Sequence, residues 1–420
     1  MTPRRRNQAM LALLLALTGL TLVLPRAERR MAARSDIDLA RAIRDGANAK
    51  QVEAMVKDGA DVNANGLGCR AMAGIFRMAD RMSSLDSGES GKQTLPQQQA
   101  CRTPLIAAAA AGKPAIEAVL IEHGAYVNGH ATDGTTPLLA AAAAGDPASL
   151  RLLLHTGADV HARRNDGASA LLLAAYATVP ESLQVLLDAG ANANEGNNDG
   201  TTALMAAALG LDPASVRLLL AHGADLHARN KSGATALALA ALRERRENAR
   251  ILLAKGANPN QKIEQVPLLT IVAMRGNAQM IELLLAYRAH IDAPGPKGGT
   301  ALMVAANKGN LDAVKALQGW GSDINMRDIN GETALMYAAE GGHADVVRFL
   351  VEKHARRDLR SQAGITALDI ARSTGDPELV ALLDPDAHSA ARGHKPARIR
   401  KAQRGKKHPG SHHSGRKSRP

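Results

Sequence analysis

Between residues 36 and 384 the apolar positions recur in a fixed order, and the order repeats every 33 residues. A Thr or Ser is followed by Pro or Ala, then Leu, then a run of small apolar residues rich in Ala. After a short turn comes a second apolar cluster, such as Leu152-Leu153-Leu154 or Leu218-Leu219-Leu220, and then Gly-Ala. Thr103-Pro104-Leu105 returns at Thr136, Ser169, Thr202 and Thr235, and again at Thr300, Thr333 and Thr366; the steps are 33 except for one of 65. That gap holds a degenerate copy beginning at Pro267. The Gly-Ala phase agrees independently, beginning at Gly124, Gly157, Gly190, Gly223, Gly256, Arg288, Gly321 and His354. Both phases lose one residue in the same place, which puts a deletion between Gly256 and Pro267.

Each unit predicts two helices and a turn. Thr or Ser accepts hydrogen bonds from the free N–H groups of a helix start, and Pro suits the first helical position. The Ala run makes a thin helix that neighbours can approach closely. The second helix ends at Gly, which enters the left-handed region without steric cost. The stretch that follows ends in turn tips such as Asp133-Gly134, Asp166-Gly167 and Asn330-Gly331. Self-similarity at this period is the signature of a stacked-repeat architecture rather than of several globules.

These units resemble the ankyrin repeat family over residues 36–384. The resemblance implies an all-α repeat solenoid of stacked helix–turn–helix units with β-hairpin fingers, within a domain spanning 35–384. Residues 36–64 resemble a tenth, N-terminal unit. One departure is consistent. The family usually has His after Thr-Pro-Leu, and here the place is taken by Ile106, Leu139, Leu172, Met205, Ala238, Thr270, Met303, Met336 and Asp369. The polar network of that His is therefore expected to be absent, with apolar packing holding the stack.

The first finger carries an insertion, residues 66–102. From Gly124 to Thr136 the spacing is 12, whereas from Gly59 to Thr103 it is 44. The chain's two cysteines, Cys69 and Cys101, lie at the two ends of this insertion. That placement suits a disulfide closing the loop at its base, worth about 3–4 kcal/mol in the chain-entropy model; two free thiols are the alternative. The loop itself reads as a short helix over 71–82 followed by a polar stretch.

Charge changes the picture only once it is located. The 420 residues carry a net +12, which ordinarily suggests an anionic partner. Residues 1–34 hold seven Arg and one acid, and residues 387–420 hold eleven Lys or Arg and no acid. The body retains 34 basic and 39 acidic residues, a net of −5. Residues 1–34, with Arg4-Arg5-Arg6 before an apolar run from Ala9 to Leu24, read as a signal peptide or an N-terminal membrane anchor. This predicts a periplasmic or secreted protein, or one held at a membrane by that segment. Residues 385–420 read as a disordered polybasic tail.

The motifs give no catalytic, metal or cofactor site. Ser87-Gly88-Glu89-Ser90-Gly91-Lys92 lacks the spacing, the following hydroxyl residue and the preceding strand of a phosphate loop. His123, His155 and His222 precede the Gly that ends a second helix, where they suit the helix dipole. His161 and His227 replace the usual Asn after Gly-Ala-Asp and read as surface residues. An enzyme hidden in the insertion is disfavoured, since that segment has no His and few acids.

By position, the resemblance implies partner contacts at finger tips and along the groove. The tips are Arg163, Arg164, Asn165, Asn197, Asn198, Arg229, Asn230, Lys231, Arg327, Asp328 and Asn330. The groove positions, seven and eight residues after each cap, include Tyr176, Leu209, Leu242, Arg243, Met274, Arg275, Asn307 and Lys308. Tyr176, Leu209, Leu242 and Met274 fall in four successive units, as a contact stripe or as packing between units. The expectation is a non-enzymatic scaffold for a partner protein, with no small-molecule substrate. The alternative is tethering to an anionic membrane surface, nucleic acid or polysaccharide through the basic tail.

Overall fold

The computed structural model describes residues 39–64 and 103–384. The segments 1–34, 66–102 and 385–420, with Cys69, Cys101 and the helix expected over 71–82, lie outside the described residues.

Ten helix pairs stack in one row. The inner helices are 39–44, Pro104–Ala110, Pro137–Ala144, Ala170–Ala177, Ala203–Leu209, Ala236–Leu242, Leu268–Arg275, Ala301–Asn307, Ala334–Glu340 and Ala367–Thr374. The outer helices are Ala49–Lys57, Pro114–Glu122, Pro147–His155, Pro180–Asp188, Pro213–Ala221, Arg246–Ala254, Ala278–Ala286, Leu311–Gly319, Ala344–Glu352 and Pro377–Leu383. The caps behave as their residue types require. Thr103, Thr136, Ser169, Thr202, Thr235, Thr300, Thr333 and Thr366 each accept a hydrogen bond from the backbone N–H three residues on, at 3.2–3.4 Å. Pro267 has no hydroxyl and makes no such cap.

One continuous core runs the length of the stack. Seven of the inner helices bury a Leu and an Ala pair, as with Leu204, Ala207 and Ala208, and each outer helix buries aliphatics such as Leu150 and Leu153. Small Ala side chains let inner helices approach along their whole length, and inner helices touch their neighbours more extensively than most outer helices do. That difference places the inner helices on the tighter, concave side.

The positions where the family has His are apolar and buried in seven units, from Ile106 to Met336. Polar ties between units nevertheless persist at other places, which the sequence reading did not anticipate. Asn248 Nδ2 donates to the carbonyls of Ala208 (3.2 Å) and Gly210 (2.9 Å) at the end of the preceding inner helix. Asn310 Nδ2 does the same for Ala273 (3.1 Å) and Met274 (2.9 Å). Carbonyls at a helix end are short of backbone donors (of these four only Ala273 O accepts one, from Gly276 N at 3.1 Å), so each side-chain donor removes a desolvation cost. A second ladder runs beside the outer helices: Asn128 Nδ2 donates to Gly157 O at 3.0 Å, and Asp159 N donates to Asn128 Oδ1 at 2.9 Å. Asn63, Asn194 and Asn260 repeat this bridge between their own units. His161 and His227 interrupt it: they are exposed, and their rings make no hydrogen bond.

The fingers are mostly turns rather than extended hairpins. Each is closed by a backbone bond such as Arg164 N to Ala168 O (3.0 Å) or Asn197 N to Thr201 O (3.0 Å), with isolated bridges Arg163–Ser169 and Gly196–Thr202. A three-residue tip leaves too little length for a strand ladder. The exception is the finger with the deletion. Lys262–Ile263 pairs antiparallel with Val266–Pro267 around a two-residue turn, in which Glu264 and Gln265 both have positive φ (49° and 68°). Losing one residue has converted the tip into the tight turn that matches strand twist.

Candidate partner-binding groove

The finger tips hold one another. Asn165 N donates to Asp133 O at 2.9 Å, Asn198 N to Asp166 O at 2.9 Å, and Lys231 N to Asp199 O at 2.8 Å, so successive tips form a backbone ladder. Side chains reinforce it. Asn165 Nδ2 reaches Thr132 O (3.1 Å) and Asn198 Nδ2 reaches Asn165 O (3.1 Å). The approach is close enough that a Cβ at Gly167, whose φ is +80°, would meet Asn198 N at 2.8 Å.

The arginines of the fingers serve the same stack. Arg163 pairs with Glu195 at 3.0 Å, and Arg229 Nη1 donates to Gly233 O (2.8 Å) and Lys262 O (3.3 Å). Arg327 donates to Gly331 O (3.0 Å) and to Arg360 O of the next finger (2.5 Å). Arg164 grips Asp166 with two N–H groups, and that hydrogen bonding holds the carboxyl below the usual range and raises the guanidinium. Asn197 Oδ1 accepts from Asp199 N and Thr201 N, and Asn230 Oδ1 from the Ser232 hydroxyl and Ala234 N.

Asp328 corrects its placement among the contact residues. It is buried, and its carboxylate accepts from Asn330 N (2.9 Å), Glu332 N (2.8 Å) and the Tyr337 hydroxyl (2.9 Å). Burial, with the Asp328 bond and charge adding to it, raises the Tyr337 phenol. Among the tip residues singled out, only Lys231 and Asn330 have side chains without a hydrogen bond or ion pair. A sequence pattern identifies a turn, but not whether its polar groups are already satisfied by the turn next to it.

The groove residues remain accessible. Tyr176 is 51% exposed and Met274 45%, while Leu209 and Leu242 are half-buried. Arg243, Arg275 and Lys308 are exposed and Asn307 is half-buried. Arg275 Nη1 donates to Leu242 O at 3.2 Å, and the backbone oxygen of Asn307 meets the His343 ring at 2.9 Å. The structure adds residues that the sequence reading missed. Leu173, Leu239, Ile271, Val304 and Tyr337, four positions after each cap, are half-buried on the same side. Their signal was present, since they precede the groove positions by three residues, less than one helical turn. Leu211 is 79% exposed in the turn beside Leu209.

No group of three or more His, Cys, Asp or Glu side chains able to hold a metal occurs among the described residues. Among those residues, no helix is long and apolar enough to cross a membrane.

Comparison with known proteins agrees with this geometry. A family model described as ankyrin repeats (3 copies) matches residues 85–164, 171–263, 264–328 and 302–391, well over half of the chain. The chain belongs to the ankyrin repeat family. Its solenoid is similar to the crystal structure of the human ASB11 ankyrin repeat domain, with a TM-score of 0.50 and 26% identity, covering 53% of this chain and 99% of that one. No curated protein matches the chain. Ankyrin repeats are in general protein–protein interaction modules; in this one most of the tip side chains are already engaged in hydrogen bonds or ion pairs within the fingers.

Proposed function

We propose that this ankyrin repeat protein is a non-enzymatic scaffold that holds a partner protein along the groove. The carrying observation is the line of accessible apolar side chains, from Tyr176 through Leu209 and Leu242 to Met274, on four consecutive inner helices. Apolar side chains left accessible in a row, when the core beneath is complete, gain free energy only from a partner. The tips contribute rigidity, since most of their polar groups serve the neighbouring finger. Export to the periplasm or outside the cell belongs to this reading through residues 1–34, whose basic start and apolar run suit a signal or anchor. That compartment favours a disulfide between Cys69 and Cys101 over two free thiols.

The test is capture of cross-linked partners from cells expressing the full chain, compared with Tyr176→Glu and Met274→Glu variants. A partner lost from both variants, with unfolding temperatures unchanged, supports the reading; a partner retained by both sinks it.

A second activity is carried by residues 387–420, whose eleven Lys or Arg and absence of acids suit an anionic surface. Binding of the full chain to anionic vesicles, falling with salt and lost on removal of 387–420, is the expected result. Binding that survives the truncation would count against it.

A further inference from the structure

We infer that the solenoid binds a small uncharged molecule, about two rings in size and with one hydrogen-bonding group. Its site is a pocket between the inner helices Leu268–Arg275 and Ala301–Asn307 and the finger Gly295–Gly299. This goes beyond the scaffold reading and does not depend on it. The pocket exists because two positions carry little side chain. Gly299 precedes the cap Thr300, a place held by Val266, Glu332 and Ile365 in neighbouring units. A Cβ added at Gly299 would meet no atom within 4 Å. Thr270 stands three residues after Pro267, where the next two units carry the longer Met303 and Met336. The space left is about 390 Å³, walled by Val266, Met303, Val304 and Tyr337.

The walls are held in place. Val266 belongs to the paired strands of the shortened finger. Gly295 N donates to Gly299 O at 3.0 Å, which closes the second finger, and Ile329 N donates to Lys297 O at 3.2 Å, which ties it to the next. A recess fixed before binding takes a ligand without a large ordering cost.

Size, polarity and charge define the ligand. An apolar cavity of about 150 Å³ takes one benzene ring, so about 390 Å³ has room for two fused rings and exceeds what one aromatic side chain fills. Thr270 lines the pocket and is 5% exposed, and its hydroxyl oxygen is buried with no hydrogen-bond partner. A buried polar atom in that state favours a ligand that brings one polar atom to it. The other walls are mainly apolar and favour a ring system. Charges of both signs border the site. Lys297 lines the finger side, whereas Asp328 accepts the Tyr337 hydroxyl at 2.9 Å and the charge of Glu332 also reaches that phenol. Neither sign prevails, so an ion would give up its hydration for little return, and the ligand is neutral.

The experiment titrates 2-naphthol, and 2-methylnaphthalene as its counterpart without a hydroxyl, into the full chain at pH 7 by calorimetry. Two variants fill the pocket. Gly299→Val supplies the side chain that Val266 supplies one unit earlier, at a position whose φ is not positive, and Thr270→Met supplies that of Met303. Both should melt no lower than the wild type, since each occupies empty space. The expected result is one-to-one binding of 2-naphthol to the wild type, weakened about tenfold or more in both filled chains. Thr270→Val retains the shape and removes the hydroxyl. It should weaken 2-naphthol about fivefold and leave 2-methylnaphthalene unchanged. If a filled chain melts lower, this variant still reads the polar contact. No saturable binding of 2-naphthol to the wild type, undiminished binding in both filled chains, or a Thr270→Val chain that binds 2-naphthol as tightly as the wild type would each overturn the inference.

Discussion

Ser149 Oγ lies 2.5 Å from a carboxyl oxygen of Glu117 and 2.7 Å from one of Asp146. One hydroxyl proton cannot serve two carboxylates, so one of them carries its own proton. Glu117 is that group. It is fully buried, at a place where the following units have Leu150, Leu183 and Val216. Burial pushes its carboxyl up to about 7, against the opposing bond from Ser149, and Asp146 adds to the rise. The proton chain runs from Glu117 to Ser149 to Asp146.

The consequence for stability has a definite sign. Below pH 4.5 Glu117 is protonated in both folded and unfolded chains and contributes no pH dependence. Between 4.5 and about 7 the unfolded chain releases the proton first, so stability falls as pH rises, and the full loss persists above 7. The loss is about 3 kcal/mol. Chemical denaturation of the wild type and Glu117→Gln at pH 5 and pH 8 checks this: the variant should lack that decline. Equal pH dependence in both would show that Glu117 does not titrate in this window.

His161 stands where Asn128 makes its two bonds to the next unit. Substitution His161→Asn should bridge Gly190 O and Asn192 N and stabilise the stack by about 1 kcal/mol. Asn128→Ala should cost about 1–2 kcal/mol by the same argument. Urea unfolding of the two variants beside the wild type measures both.

His354 adopts φ +64° where seven other units have Gly, all of them at φ +78° to +96°. A residue with a Cβ is strained there. His354→Gly should raise stability by about 1 kcal/mol and the melting temperature with it; a lower melting temperature would mean that the imidazole makes a stabilising contact.

Asp328→Ala leaves the Tyr337 hydroxyl and two backbone N–H groups without their acceptor. The expected cost is about 2 kcal/mol or more. Any loss of partner binding in this variant should follow unfolding, which a melt run alongside the binding assay separates from a lost contact.

The repeat, its register and its helix starts were legible because each depends on local chemistry. Thr or Ser caps its own helix, and Leu and Ala bury on its own face. The deletion before Pro267 was legible for the same reason, although only the structure displays the tight turn at Glu264-Gln265 that absorbs it. The site was half legible. Tyr176 and Met274 could be placed from their offsets after the cap. The role of Arg163, Arg229 and Arg327 could not, because their hydrogen-bond acceptors lie 33 residues away in the next finger. A sequence displays each finger alone, whereas the burial of Asp328 and the pocket at Thr270 arise between units.

The proposed function puts the partner in the groove and not on the ion-paired outer face. A photo-cross-linking residue placed at Tyr176, and separately at Arg151, in the full chain expressed in cells tests it most directly. A discrete protein adduct is expected from position 176 and none from position 151. An adduct from 151 alone, or identical adducts from both, would contradict it.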